Sequence, residues 1–169
     1  MPDSLTAARS FLIDRMREKD LPRVLEIERA CFPDPWSRDS FLYEIRDNVC
    51  ASNFVLREPG ASGRIAAYAC VWYIEEEAHI NNLAVHPEAR RRGLGRRLMR
   101  AVLREAIRRG CRTALLQVRP SNEAAITLYR SVGFVPGGRR RSYYSNTGED
   151  AIVMSRTLLA RRKAPRRAG

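Results

Sequence analysis

Ile80-Asn81-Asn82-Leu83-Ala84-Val85 reads as a strand, and it feeds through His86-Pro87 into the basic loop Arg90-Arg91-Arg92-Gly93-Leu94-Gly95 and then into a helix. Glycines let a backbone approach a ligand closely, and the first N–H groups of a helix have no intrahelical acceptor. Backed by the helix dipole, such groups make an anion site suited to a pyrophosphate. Arg90, Arg91 and Arg92 add positive charge around it. The loop lacks the Gly-Lys-Ser/Thr ending of a P-loop and the third glycine of a dinucleotide fingerprint. Taken alone, a glycine-bearing turn of this kind is more often a tight turn than a ligand site.

The elements that would position this loop can be read from periodicity and capping. A strand over Phe11–Met16 precedes Asp20, a helix cap, and Leu21, Val24, Ile27 and Cys31 then recur at helical spacing. The turn Phe32-Pro33-Asp34-Pro35-Trp36 ends that helix, and Ser37 caps a second one carrying Phe41 and Ile45. Strands are expected at 54–57, 65–74 and 78–85, with the turn-rich Pro59–Gly63 between the first two. After the basic loop comes a helix over about 96–109, with Leu94, Leu98, Val102 and Ala106 inward and Arg97, Arg100, Arg104 and Arg108 solvated. A strand at 114–118, a short helix capped at Asn122 and stopped by Gly133, and a late hairpin complete the pattern. Its strands are expected near Tyr143 and at 151–158, joined across Ser145–Gly148. Strands and helices interleave, which predicts an α/β fold on one mixed sheet.

The chain has 169 residues, one domain's length, expected as a flexible leader (1–10), a domain (11–158) and a disordered basic tail (159–169). It has no run near the ~20 apolar residues that cross a bilayer, and its N-terminus lacks a secretion-signal layout. No membrane partner and a cytoplasmic location are therefore expected. Net charge is +12, and the 31 basic residues include only Lys19 and Lys163 as lysines. Such an excess suits phosphate-bearing partners, a nucleotide-like cofactor or RNA, or else a solvated arginine surface. Cys31, Cys50, Cys70 and Cys111 contain no CxxC pair, and His79 and His86 are the only histidines, so no metal site is expected.

Arg90 to Gly95, in the pattern R/Q-x-x-G-x-G, resembles the acetyl-CoA pyrophosphate loop of the GNAT N-acetyltransferases. VRPSNEAAITLYRSVGF (118–134) looks like their second cofactor segment. CFPDPWS (31–37) and SYYSNTGEDAIVM (142–154) are similar to the bacterial ribosomal-protein-alanine N-acetyltransferases, the RimI type. The resemblance spans residues 11–158 in order and implies an α/β (α+β) GNAT fold. Its sheet is mixed, mostly antiparallel, flanked by helices and splayed between the fourth and fifth strands, with acetyl-CoA in the gap. It implies that backbone at Leu83, Ala84 and Val85 pairs with the pantetheine arm. The N–H groups from Arg91 to Arg96, within the Arg90–Arg96 loop, would hold the pyrophosphate, and Asn122 would bond the arm near the thioester.

The same resemblance places Tyr129 as the acid that protonates the departing thiolate. It also exposes a departure, because the family's Leu-Glu-Val-Arg, whose Glu is the base, reads here Leu116-Gln117-Val118-Arg119. Gln117 cannot accept a full proton. His79, six residues before Val85 on the fourth strand and expected directly across the splay from the fifth, acts through a water oriented by Gln117 as the expected substitute, with Glu77 on the same strand face in reserve. An α-amine of pKa ~7.8 is about one-third neutral at pH 7.5, whereas a lysine amine of pKa ~10.4 is neutral only about one time in a thousand. A weak base thus suits an N-terminal acceptor. The acceptor groove is expected between Phe32 and Trp36 on one side and Tyr143 and Tyr144 on the other. The acceptor implied is a protein N-terminus, that of an alanine-start small-subunit ribosomal protein, with a monomeric enzyme. The rivals are a GNAT enzyme acting on lysine or a small amine, and an acetyl-CoA-binding module that docks on RNA through its arginines.

Overall fold

The computed structural model describes residues 10–158. Residues 1–9 of the expected leader, and the whole expected tail, lie outside the described residues. Within them the order is β1 (Leu12–Arg15), α1 (Leu21–Cys31), α2 (Arg38–Arg46), β2 (Ala51–Arg57), β3 (Ile65–Ile74) and β4 (Glu77–Val85). Then follow α3 (Leu94–Arg108), β5 (Thr113–Val118), α4 (Glu123–Ser131), β6 (Val135–Arg140) and β7 (Ala151–Thr157). Capping explains the starts of α2 and α4, but the cap expected at Asp20 forms no bond to α1: its carboxylate accepts the Arg17 N–H and the Arg57 guanidinium, at 2.9 Å each. The Ser37 hydroxyl accepts the Ser40 N–H at 3.1 Å to open α2, and the Asn122 side chain accepts the Ala125 N–H at 3.1 Å to open α4.

The seven strands lie in the order β1-β2-β3-β4-β5-β7-β6, every neighbouring pair antiparallel except β4–β5. Helices cover both faces. Leu94, Leu98, Met99, Val102, Leu103 and Ala106 of α3 pack with Ile80, Ala114, Leu116, Val118 and Tyr129. On the other face Leu21, Val24, Leu25, Ile27 and Phe41 from α1 and α2 pack with Val55, Tyr68, Cys70 and Ala84. β3, sandwiched between the two layers, is buried from Ile65 through Val71 and is rich in alanine where helices approach. No helix among the described residues is long and apolar enough to cross a membrane.

The middle of the sheet is shaped by β4 in two ways. Its parallel pairing with β5 runs only from Glu77↔Thr113 to Ile80↔Leu116, although β4 continues to Val85 and β5 to Val118. The sheet therefore opens between its fourth and fifth strands, as expected. Just at that point β4 carries a bulge: Val71 pairs with Ile80 and Cys70 with Asn82, leaving Asn81 without a partner on β3. The extra residue reverses the alternation, so that Ile80 packs under α3 while Ala84 packs under α1.

One expected element is displaced. The penultimate strand is β6 at Val135–Arg140, and Tyr143 lies in the long β6–β7 loop rather than on a strand. The sequence of β6 is Pro-Gly-Gly-Arg-rich and every one of its residues is exposed, so it offers no alternating apolar signal. Its pairing with β7 alone makes it a strand, at the sheet edge where proline is tolerated.

Candidate active site

The β4–α3 connection has the geometry of an anion cradle. Gly93 caps α3 at φ +70° and Arg91 has φ +62°, so the backbone turns through left-handed conformations before the helix begins. The first α3 hydrogen bond is Arg97 N–H to Gly93 O at 3.1 Å, which leaves the N–H groups of Leu94, Gly95 and Arg96 at the open helix end. Gly95 also serves packing, since a Cβ there would sit 3.0 Å from Leu128 Cδ2 and 3.5 Å from Val85 Cγ2. Two of the three loop arginines have partners within the chain. Arg90 donates to Val85 O and to Cys31 Sγ at 3.4 Å each, and Arg92 is turned to Glu58 at 3.1 Å and over the Phe11 ring. Arg96, with Arg97, Arg100 and Arg104, instead lines a hollow of about 400 Å³ on α3's outer face.

Past Ile80, the β5-facing backbone edge of β4, which includes Leu83, Ala84 and Val85, has no partner strand. The other edge stays paired to β3, and Ala84 is buried as a core side chain. The Asn81 Nδ2 at the bulge is buried without a hydrogen-bond partner. An open strand edge, an orphaned amide at its mouth and a helix N-terminus at its far end together fit an extended ligand with a terminal pyrophosphate.

Tyr129 on α4 is 8% exposed and packs against Phe134, with ring centroids 6.0 Å apart. Burial, reinforced by the neighbouring Tyr144, pushes its phenol up to about 12. It therefore keeps its proton across the whole physiological range. Asn122 spends its side-chain oxygen on the α4 cap and retains its amide N–H₂.

Gln117 and His79 share a face of the sheet. Ala114, Leu116 and Val118 pack under α3, which sends Thr113, Leu115 and Gln117 to the α1 side; Glu77 and His79 alternate with Ala78 and Ile80 to the same side. The register corrects one expectation. His79 pairs with Leu115 in the closed part of the sheet, not across the gap, and Gln117 stands one alternate position further on. His79 Nε2 is bonded to Glu77 Oε2 at 2.8 Å, so the expected base and its reserve form one unit.

The aromatic residues expected at the acceptor side divide between two loops. Trp36 packs on Phe41 (centroids 5.3 Å apart), and Phe32 is half-buried beside the same cluster. Tyr143 and Tyr144 meet edge to face at 5.0 Å in the β6–β7 loop. Arg119, at the end of β5, ties that loop down: its guanidinium lies 3.8 Å from the Tyr144 ring centroid and donates to Thr147 Oγ1 at 2.9 Å and Asn146 Oδ1 at 3.0 Å. Sequence reasoning missed this role of Arg119 and also Glu28, whose carboxylate accepts the Trp36 N–H at 2.8 Å. Glu28 had a signal, because an acidic residue one turn beyond Val24 falls on the apolar face of α1. No group of residues suited to a metal ion occurs among the described residues.

A sheet parted between parallel β4 and β5, with a glycine-bearing anion cradle at the end of β4, is the arrangement that the resemblance to the acetyl-CoA-dependent transferases implies. The model of the acetyltransferase (GNAT) family matches residues 21–134, and the chain belongs to that family. It is 39% identical over 145 residues to the [ribosomal protein bS18]-alanine N-acetyltransferase of Escherichia coli K12, covering 85% of this chain and 95% of that protein. It is 35% identical over 150 residues to the N-alpha-acetyltransferase RimI of Mycobacterium tuberculosis, covering 85% and 90%. The crystal structure of the ribosomal-protein-S18-alanine N-acetyltransferase from Escherichia coli superposes with a TM-score of 0.79 at 34% identity, covering 95% of this chain and 99% of that one. The chain is an N-acetyltransferase.

Proposed function

We propose that this enzyme moves acetyl from acetyl-CoA to the α-amine of a protein N-terminus, that of an alanine-start small-subunit ribosomal protein, in the cytoplasm. The observation that carries this reading is similarity over 85% of this chain, at 39% identity, to a relative named a [ribosomal protein bS18]-alanine N-acetyltransferase. Acetyl-CoA supplies the acetyl group as a thioester. The open β4 edge at Leu83–Val85, the N–H groups from Arg91 to Arg96 and the Asn122 amide are the groups that would hold it. The Tyr129 Oη keeps its proton and gives it to the departing sulfur. His79, oriented by Glu77 and relayed by a water on Gln117, takes the proton of the amine. Phe32 and Trp36 wall the acceptor groove opposite Tyr143 and Tyr144.

The reading is tested by incubating the enzyme with acetyl-CoA and two peptides and reading intact masses. One peptide has a free N-terminal alanine and blocked lysines; the other has a blocked N-terminus and a free lysine. Acetyl on the first alone is the expected result, and acetyl on the second alone overturns the acceptor. His79→Ala is expected to lower kcat about 10²-fold, the low end for general-base catalysis, with acetyl-CoA affinity intact. An unchanged rate would remove His79 from the mechanism. A second reading, direct RNA contact, is favoured by the hollow on α3 whose lining side chains beyond Gly93 are four arginines; RNA affinity that falls steeply with salt in an enzyme inert towards both peptides would support it.

A further inference from the structure

Glu28 is 1% exposed, yet no lysine or arginine pairs with it among the described residues. Its partners are neutral donors from three separate elements. The Trp36 N–H comes from the α1–α2 loop at 2.8 Å, the Tyr68 hydroxyl from β3, and the Asn82 Nδ2 from β4 at 3.1 Å. The surroundings are otherwise apolar: Val24, Ile27, Phe41, Cys70 and Ala84 are all buried in the same cluster. A carboxylate in such a place is costly unless fully hydrogen-bonded, so an apolar residue would serve packing as well or better. Burial accordingly raises its pKa, while the Trp36 and Asn82 hydrogen bonds pull the other way.

What the carboxylate does that an apolar side chain would not is join two places. Asn82 is the first β4 residue beyond the bulge, on the stretch where β4 has parted from β5. Trp36 belongs to the Phe32–Ser37 loop, and its ring leans on Phe41. Backbone and ring of Trp36 are thus fixed by two different contacts, and the Glu28 contact refers the loop backbone to Asn82 at the mouth of the gap, while Cys31, just before the loop, reaches Val85 O at the far end of β4 at 3.3 Å. A hydrogen bond has direction, whereas apolar packing leaves a loop free to slide.

We propose that Glu28 is a positioning residue for the acceptor, holding the Phe32–Ser37 loop at a set height over β4 so that an incoming N-terminus is aligned with the opening. This rests on the reading of that loop as an acceptor wall. Glu28→Gln keeps one acceptor for the Trp36 N–H but turns an N–H₂ group towards two donors, Tyr68 and Asn82, so the clamp loosens while side-chain volume is preserved.

Steady-state kinetics with the alanine-start peptide, acetyl-CoA titration by calorimetry, and Trp36→Ala as a control for the loop form the test. Glu28→Gln is expected to raise the peptide KM about tenfold, the loss of one charge-assisted hydrogen bond, with kcat and acetyl-CoA affinity nearly unchanged. A rise in KM for Trp36→Ala without one for a folded Glu28→Gln overturns the positioning role and leaves the acceptor wall standing. If neither variant moves KM, the acceptor-wall reading itself fails. If Glu28→Gln does not fold, Tyr68→Phe carries the test: it removes one donor from the carboxylate and should raise KM alone. An unchanged KM in that variant, or a parallel loss of acetyl-CoA affinity, overturns the proposal.

Discussion

Tyr129→Phe is expected to lower kcat by about 10²-fold, at the low end of general-acid effects, while the fold and acetyl-CoA binding survive. The ring makes the packing contacts, with Phe134 on one side and the β5 residues of the same cluster around it, and these persist in phenylalanine. Only the hydroxyl is lost, and it has no hydrogen-bond partner among the described residues, which leaves it available to a reacting group. The low end is expected because burial holds the phenol up to about 12. Proton donation from so weak an acid becomes favourable only as charge accumulates on the sulfur, so its help is largely that of a hydrogen bond tightening late in the step. The same shift fixes the pH profile. A raised pKa means the acid form persists as pH rises through 10, so Tyr129 should contribute no falling limb between pH 7 and 10. The rise on the acidic side reports deprotonation of the acceptor amine. A kcat for Tyr129→Phe equal to that of the parent enzyme would remove the acid role, and a falling limb near pH 9 that vanished in the variant would show that the hydroxyl ionises far earlier than its burial allows.

Phe41→Ala should cost about 3–5 kcal/mol of folding stability, read as a shift in denaturant midpoint at constant slope. Phe41 is fully buried at the point where α2, β3 and the Phe32–Ser37 loop converge, with Trp36 at 5.3 Å and Tyr68 edge-on at 5.7 Å. Removing the ring opens a cavity that neither neighbour can fill without leaving its other contacts, since Tyr68 is bonded to Glu28. The loss should be accompanied by a raised peptide KM, because Trp36 rests on the deleted ring. A loss below about 1 kcal/mol would mean that the layer over this face collapses into the gap, and that it is far more plastic than its burial suggests.

The arginine excess acquires a physical account only in three dimensions. Several of the arginines serve local ion pairs: Arg57 with Asp20 at 2.9 Å, Arg46 with Glu18, and Arg108 and Arg109 with Glu105. Exposed pairs of this kind contribute little to stability, and the nearly buried Asp20 partner of Arg57 is the exception. Arg119 orders a loop, and the α3 row faces outward with no acidic residue among the side chains that line its hollow. Net charge alone could not separate these uses.

Periodicity and capping made most of the elements legible. α1 and β3 match their expected limits at Leu21–Cys31 and Ile65–Ile74, and the expected caps at Ser37 and Asn122 are formed. These features are local: a 3.6-residue apolar rhythm or a side-chain cap carries its own signal, whatever the rest of the chain does. The motif around Gly93 and Gly95 was equally legible, because the positive φ at Gly93 and the close approach of Leu128 at Gly95 each restrict residue type directly. β6 was not, since an edge strand with every residue exposed owes its existence to its neighbour β7. Nor was the bulge at Asn81, which depends on the register between β3 and β4 and decides which β4 side chains face which helix layer. That register sets His79 beside Leu115 in the closed sheet and joins it to Glu77, where spacing alone had put it across the opening. The reach of Glu28 to three elements, up to 54 residues away along the chain, belongs to the same class. Sequence determined what each segment could be, because conformational preference is local; tertiary structure decided which side chains meet, because register and burial are properties of pairs of segments.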